Sequence, residues 1–387
     1  MMLHVAETMP QKCALDSNQL PTLQISDQTW RQLVPAGVTE DVKSDHTTYK
    51  YTTTLAFGCA AAHEDNARRA LPIVLVGVNE HYEHTAYQKG ERMRGTQFTQ
   101  SLCVSTNAGA SWVHEPLHVS DEPMQCKVSV SANGHWVCIA LFNPSLSVTF
   151  RCALNSRHKK LDKLSSTARP QPSVTLIAVR NDGSGLMASE KELFGFEAVG
   201  SKTSLCYTGD RFLAVATNES KDIVLCDSEN VHVYQRNTWS ISSTAKAAMD
   251  VVMNDHWCMV VNMDTVCMNT QPGDLSEFAP VEAEGMPQRA TAVAVAECNN
   301  HWLVAYNTGE LWYGSPVDGQ RTSHPSVWVP VSNPGFVWSA ASMCNPIFLS
   351  VPVVYAIADG IVYSNMSTFS ISTYILNQPY RIIVSPQ

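Results

Sequence analysis

An all-β chain built from repeated four-stranded units is what this sequence predicts, and three observations carry that expectation. An aromatic anchor followed by an apolar run recurs at Phe212, Trp257, Trp302 and Phe348, at intervals of 45, 45 and 46 residues. Turn-forming residues precede the anchor. Asn254-Asp255-His256-Trp257 is matched by Asn299-Asn300-His301-Trp302 and Asn133-Gly134-His135-Trp136, and more loosely by Gly209-Asp210-Arg211-Phe212 and Asn345-Pro346-Ile347-Phe348. Between anchors, apolar runs of strand length alternate with Gly, Asn, Asp and Ser clusters, which punctuate strands rather than helices.

Each unit divides into four strands in order. The first is an apolar run such as Thr291–Ala296, closed by an Asn-Gly, Gly-Asp or Asn-Asn turn suited to a tight hairpin. The second begins at the anchor. A third short run follows, as in Asp222–Cys226 or Gly360–Tyr363, and a fourth starts at another aromatic: Trp112, Phe196, Trp239, Phe278, Trp328 or Phe369. Four strands in about 45 residues, repeated along the chain, resemble the blades of a β-propeller.

That resemblance implies a closed ring occupying residues 1–387 as one domain. Trp30 begins a further fourth-strand run near the start of the chain. Residues 2–8, 13–17 and 29–34 are then expected to be strands two to four of a blade whose first strand is Tyr380–Val384, so that the two termini share it. Closure removes the open sheet edges that template aggregation. The expectation is seven blades, with six as the alternative because residues 144–196 fit the period poorly. No Trp-Asp dipeptide occurs, so the blades are WD40-like only in architecture. Ser105–Trp112 is similar to the Asp-box turn of sialidase-like propellers with Asn107 in the Asp position, and Asn181–Leu186 is a fainter echo. Such a turn ties down backbone N–H groups and carries no chemistry.

Composition excludes several classes. Apolar residues make up 44% of the 387 and charged residues 16%, which is incompatible with an intrinsically disordered chain. The net charge of −9 argues against general binding to nucleic acid or anionic membranes. No apolar stretch of membrane-spanning length and no basic-then-apolar start are present, which leads to an expected cytoplasmic or nuclear location. Twelve scattered cysteines, none in a Cys-x-x-Cys pair, read as small buried hydrophobes.

Two interruptions of the period, at about 79–95 and 144–172, are expected at the same connection in adjacent blades, and therefore on one face of the ring, where repeat proteins place their binding loops. The first carries Tyr82, Tyr87, Arg92 and Arg94; the second carries Arg151, Arg157, His158, Lys159, Lys160, Lys163 and Arg169, a basic island in an acidic protein. Tyr82, Tyr87, Arg92, Arg94, Arg157, Lys159 and Lys160 are the candidate partner-binding residues, since interface energy concentrates in aromatic and cationic side chains. The basic island suits an acidic or phosphorylated segment, and it is the one place where a nucleic-acid backbone would be held. Glu80, His81, Glu83 and His84 lack the fixed geometry a zinc site requires, so no metal is expected. His135, His256 and His301 recur at one repeat position, which points to a structural role. The chain has no Gly-x-Ser-x-Gly elbow, no phosphate-binding loop and no Gly-x-Gly-x-x-Gly, so neither catalysis nor a cofactor is expected. The expected function is a non-catalytic scaffold for other protein subunits; the alternative is a divergent sialidase-like or glycan-binding propeller.

Overall fold

The computed structural model describes residues 31–364 apart from parts of the connections, the longest being 62–71, 154–173 and 345–352. The described strands form seven sheets arranged as seven blades in a ring. The first described strand is β1 (Arg31–Gln32). Blade I holds β2 (Gly37–Lys43), β3 (His46–Ala61), β4 (Pro72–Gln88), β5 (Glu91–Ser105) and β6 (Val113–Ser120). Blade II holds β7 (Gln125–Val130), β8 (Trp136–Phe142) and β9 (Ser147–Ala153). Blade III holds β10 (Leu176–Val179), β11 (Gly185–Ala188), β12 (Glu192–Phe196) and β13 (Thr203–Thr208).

Blade IV comprises β14 (Ala214–Thr217), β15 (Ile223–Cys226), β16 (Asn230–Gln235) and β17 (Thr238–Lys246). Blade V comprises β18 (Asp250–Met253), β19 (Cys258–Val261), β20 (Val266–Gln271) and β21 (Asp274–Pro280). Blade VI comprises β22 (Ala292–Cys298), β23 (His301–Tyr306), β24 (Leu311–Ser315) and β25 (Val327–Val331). Blade VII comprises β26 (Ala340–Cys344), β27 (Val353–Ala358) and β28 (Ile361–Ser364), with β1 as its fourth strand. All pairings are antiparallel, as short hairpins demand. In blade IV the last hairpin turns on Arg236 and Asn237, both with positive φ, matching the two-residue turn whose twist suits flanking strands. Blade V uses Pro272-Gly273 at the same place, with Gly273 at φ +71°.

The first strands of successive blades touch one another in sequence (β3, β7, β10, β14, β18, β22, β26), and β26 returns to β3. The ring is therefore closed around its innermost strands. Shared cores seal the junctions. Leu102 and Leu117 of blade I pack with Ile139 and Phe150 of blade II; Cys138 of blade II packs with Phe196 of blade III; Leu193 of blade III packs with Phe212 and Leu225 of blade IV. Val233 joins Phe278 between blades IV and V, and Trp257 joins Trp302 between V and VI. A last core runs from Leu303 of blade VI through Tyr355 of blade VII to Val78 of blade I. Burying one face of each sheet against the next is what stabilises a blade that cannot stand alone.

Ring closure uses both ends of the chain. Arg31 pairs with Ser364 and Gln32 with Tyr363, so β1 occupies the outer place in a blade otherwise made of residues 340–364. Arg31–Gln32 do take the fourth-strand place expected of residues 29–34, but in another blade. They pair with β28, whose fourth strand the sequence places at Phe369, so the N-terminal side supplies the fourth strand of this blade rather than belonging to a separate one. Residues 1–30, Phe369 and Tyr380–Val384 lie outside the described residues. The blade partition differs from the sequence expectation there and again between blades II and IV, where Asp222–Cys226, expected as a third run, holds the second strand β15. Phe212 leads the first strand of its blade, whereas Trp257 and Trp302 stand at the second; Phe196 lies in a third strand, and the misfit around 144–196 contains a complete extra blade boundary.

Nine described cysteines carry free thiols, and all but Cys206 are buried. Burial pushes the Cys126 thiol up to about 12 and raises those of Cys226 and Cys258 further, as expected for apolar packing groups.

Candidate interaction surface

Alternating strand direction gives the ring two chemically distinct faces. Connections from strand two to three, and from one blade to the next, lie on what we term the top face. Connections from strand one to two, and from three to four, lie on the bottom face.

The first period interruption builds a wall on the top face. β6 pairs with β5 only between Phe98 and Val104, which marks the blade proper. Beyond it, β4 and β5 continue as a ladder from Tyr82–Gln97 to Gln88–Glu91, and β3 pairs with β4 from Lys50–Tyr82 to His46–Ala86. β2 adds a fourth strand to this extension through Gly37–Thr52 to Lys43–His46. At roughly 3.3 Å per residue, residues 82–88 reach about 23 Å beyond the blade. The segment expected to be an inserted loop is therefore a four-stranded sheet extension.

Within it, Tyr82 is half-buried and donates its hydroxyl to Glu80 Oε2 at 3.0 Å. Buried Glu80 also faces His114 Nε2 at 3.4 Å. His81 stacks on Phe98 with ring centroids 4.5 Å apart. Tyr87 is opposite Arg92 in the ladder and Thr85 is opposite Arg94, so three of the four candidates in this segment share one hairpin end. Among the described residues no group of three or more His, Cys, Asp or Glu is placed to hold a metal.

The second interruption does not lie at the equivalent connection. Residues 143–146 form a short turn between β8 and β9, with Asn143 Oδ1 accepting the N–H groups of Ser145 and Leu146. The chain leaves β9 at Ala153, opposite Trp136, which is the bottom-face end of the blade. The two interruptions thus start from opposite faces. Arg157, Lys159 and Lys160 lie outside the described residues.

Arg151 is not part of a solvent-exposed island. It is 6% exposed in β9 and donates through Nη1 to Gly183 O at 2.9 Å and to Glu197 O. Its guanidinium lies over the rings of Trp136 and Phe196 at 5.5 and 5.7 Å. Arg180, 7% exposed, repeats the device one blade on, donating Nε to Thr217 Oγ1 and Asn218 O. Both arginines are staples between blades. Sequence alone marks them only as basic residues inside apolar runs.

The bottom-face turns are tied to one another. Asn181 Oδ1 accepts the Asn133 N–H at 2.8 Å, Glu219 Oε1 accepts the Asn181 N–H at 2.9 Å, and Asp255 Oδ1 accepts the Glu219 N–H at 3.1 Å. Asn254 Nδ2 then donates to Glu297 Oε1 at 3.0 Å. The repeated turn works through its Asn rather than its His: Asn133 and Asn254 accept the N–H groups of His135 and His256. His301 instead stacks on Tyr313 and bonds its hydroxyl, and burial lowers its pKa.

First strands line the channel. Lys127 of blade II and Asp250 of blade V are close enough for the lysine to oppose the burial that raises the Asp250 pKa, although two blades separate them. Asp250 Oδ2 accepts the Val295 N–H of the next first strand at 3.1 Å, so it serves ring packing.

No family model and no curated protein sequence matches the chain. Solved structures do. The β-propeller domain of Myceliophteria thermophila Cps50 (Swd1) superposes with a TM-score of 0.54 at 9% identity, over 86% of this chain and 100% of that one. YCF48 bound to a D1 peptide gives 0.51 at 12% identity, over 86% and 100%. A chain of the mitotic checkpoint complex gives 0.51 at 10% identity, over 79% and 90%. Identities this low establish architecture and nothing narrower. Joined to the closed ring of first strands and the blade shared between both ends, they show that the chain has the fold of a seven-bladed β-propeller.

Proposed function

We propose that the protein is a non-catalytic scaffold, a subunit of a larger cytoplasmic or nuclear assembly, that holds protein partners against the blade I extension. The carrying observation is the extension itself. Ring closure needs only the blade portion of β3 to β6, yet a sheet of four strands continues past it, β4 and β5 by about 23 Å. Tyr82, Tyr87, Arg92 and Arg94 are the proposed contacts there. Arg157, Lys159 and Lys160 provide a second docking segment for an acidic or phosphorylated sequence. The likeness to propellers solved with a peptide or within a complex supports this reading at the level of architecture.

The test is quantitative affinity capture from the native cell. Wild type is compared with Arg92→Glu/Arg94→Glu and with Arg157→Glu/Lys159→Glu/Lys160→Glu, each checked for unchanged melting. Stoichiometric partners lost on at least one reversal are the expected result. A partner set that neither reversal alters sinks the assignment of these residues.

A further inference from the structure

We infer that the top face around the mouth of the ring receives a cationic polypeptide segment carrying apolar anchor residues. The inference rests on the scaffold reading and names the chemistry of one partner.

Unused charge is the first observation. Exposed carboxylates stand at top-face connections around the ring: Asp121 between blades I and II, Glu190 in III, Glu229 in IV, Glu282 between V and VI, Glu310 in VI and Asp359 in VII. None of these six carboxylates makes a hydrogen bond or an ion pair with another described residue. The described cations at the ring's own top-face connections are Lys191, paired with Asp210 at 3.8 Å, Arg211 and Lys246 at the end of β17, while Lys43, Lys50, Arg92 and Arg94 belong to the blade I extension that stands out from the mouth. The bottom face is the opposite case. Of its exposed carboxylates, Asp182 accepts the Ser184 N–H within its own turn, and Glu219 and Asp255 accept N–H groups from the neighbouring turns. Those three bottom-face acids brace turns of the ring, whereas the six top-face acids named above do not, and they outnumber the cations at the mouth and give it a negative field.

Apolar exposure coincides with that field. Leu213 is 40%, Met249 45% and Val337 65% exposed. Leu213 and Met249 each immediately precede a first strand, and Val337 lies three residues before one. First strands line the channel, so all three stand near its top mouth. Leu213 lies close in sequence to Asp210, in the connection from blade III to blade IV. A purely acidic partner is repelled by this face, and a purely apolar one leaves the carboxylates stranded. Lysine or arginine alternating with leucine or methionine satisfies both, because long cationic stems cover apolar surface while their heads reach the carboxylates.

A synthetic peptide, acetyl-(Lys-Leu-Arg-Met)3-amide, provides the probe, with the apolar positions replaced by Gly as its control. Binding to the full chain is followed by fluorescence anisotropy at 50 and 200 mM salt. Saturable binding that weakens with salt is expected, since screening falls within about 10 Å at 0.1 M. Glu190→Lys/Glu229→Lys is expected to raise Kd at least tenfold. Leu213→Ser/Met249→Ser is expected to raise it about fivefold with unchanged melting. Glu197→Lys/Glu277→Lys, away from the top mouth, makes the same net charge change and is expected to leave Kd within twofold. Equal losses in the two charge-reversed doubles, wild-type binding by the Leu213/Met249 variant, or equal binding of the Gly control overturns the inference. If cellular partners survive the top-mouth variants but are lost with Arg92→Glu/Arg94→Glu, the inference falls and the scaffold reading stands. If they survive the hairpin variant but are lost with the top-mouth variants, the inference stands and the hairpin contacts of the scaffold reading fall.

Discussion

Asp227 Oδ2 lies 2.5 Å from His232 Nε2, and the other ring nitrogen of His232 lies 3.1 Å from the Tyr207 hydroxyl of the preceding blade. The carboxylate also accepts the N–H groups of Glu229 and Asn230, so it ties down the turn between β15 and β16 while the imidazole reaches the outer strand of blade III. Burial by itself raises the Asp227 pKa. The hydrogen bonds from His232 and the two N–H groups outweigh it and hold the carboxyl below its usual range.

A group whose folded-state pKa is depressed contributes stability that is present above its unfolded value and lost as pH falls through the folded value. Asp227→Asn is therefore expected to cost about 1–3 kcal/mol at pH 7, the range for losing a charged acceptor from a buried pair. The gap between wild type and variant should close as pH falls below 4. Denaturant melts at pH 7, 5 and 3.5 measure it. A gap that is constant across that range removes the charge from the explanation and leaves only shape.

Arg151 supports a second prediction. It is a buried cation whose donors are spent on two main-chain oxygens of the next blade, and Trp136 packs against the same turn. Arg151→Met keeps most of the stem and removes the charge, leaving the Gly183 and Glu197 carbonyls short of donors. The expected loss is about 2–4 kcal/mol. Gly183→Ala attacks the same contact from the other side. Gly183 has φ +84°, and a Cβ there meets Trp136 at 2.6 Å, so a loss above about 1 kcal/mol is expected. Chemical denaturation of both single variants and the double gives the coupling between them. Full additivity means that the guanidinium and the glycine do not share one junction.

How much of this is legible in the sequence follows from what each residue does. The anchors Trp257 and Trp302 announce themselves because a buried aromatic after a tight turn has few other uses. That the two ends share a blade follows from Trp30 beside an incomplete count of strands, although the division of that blade, three strands from residues 340–364 and one from Arg31–Gln32, does not. Phe212 misleads. It is as buried as the others, but blade III ends in Tyr207-Thr208-Gly209-Asp210, whose turn residues imitate a hairpin turn inside a blade. Arg151 is invisible as a staple, since its partners are backbone oxygens 32 and 46 residues away. The extension reads as a loop because Glu80–Gln88 lacks the apolar–polar alternation by which a half-buried strand is recognised in a sequence. The top-face carboxylates are spread over the chain from Asp121 to Asp359, and only the ring topology collects them on one side.

Glu219 tests the bottom-face chain by the opposite sign. Burial raises its pKa first, and Asp255 and Asp182 add repulsion, against the Asn181 N–H and Arg180 that favour the charge. A carboxyl whose folded-state pKa is raised binds its proton more tightly in the folded state than in the unfolded. Its contribution to stability is then largest below the unfolded value and declines as pH rises through the folded one. Glu219→Gln retains an oxygen for the Asn181 N–H and discards the charge. It is expected to melt at or above the wild-type temperature at pH 7. Between pH 4.5, the ordinary value for this group, and pH 6, its melting temperature should depend less on pH than that of wild type. Glu219→Ala, which removes the acceptor as well, should melt below both. Thermal melts of the three proteins at half-unit pH steps separate the two contributions: if Gln and Ala behave alike, the link from Glu219 to Asn181 does not hold blades III and IV together, and the turn-to-turn chain is surface decoration at that step.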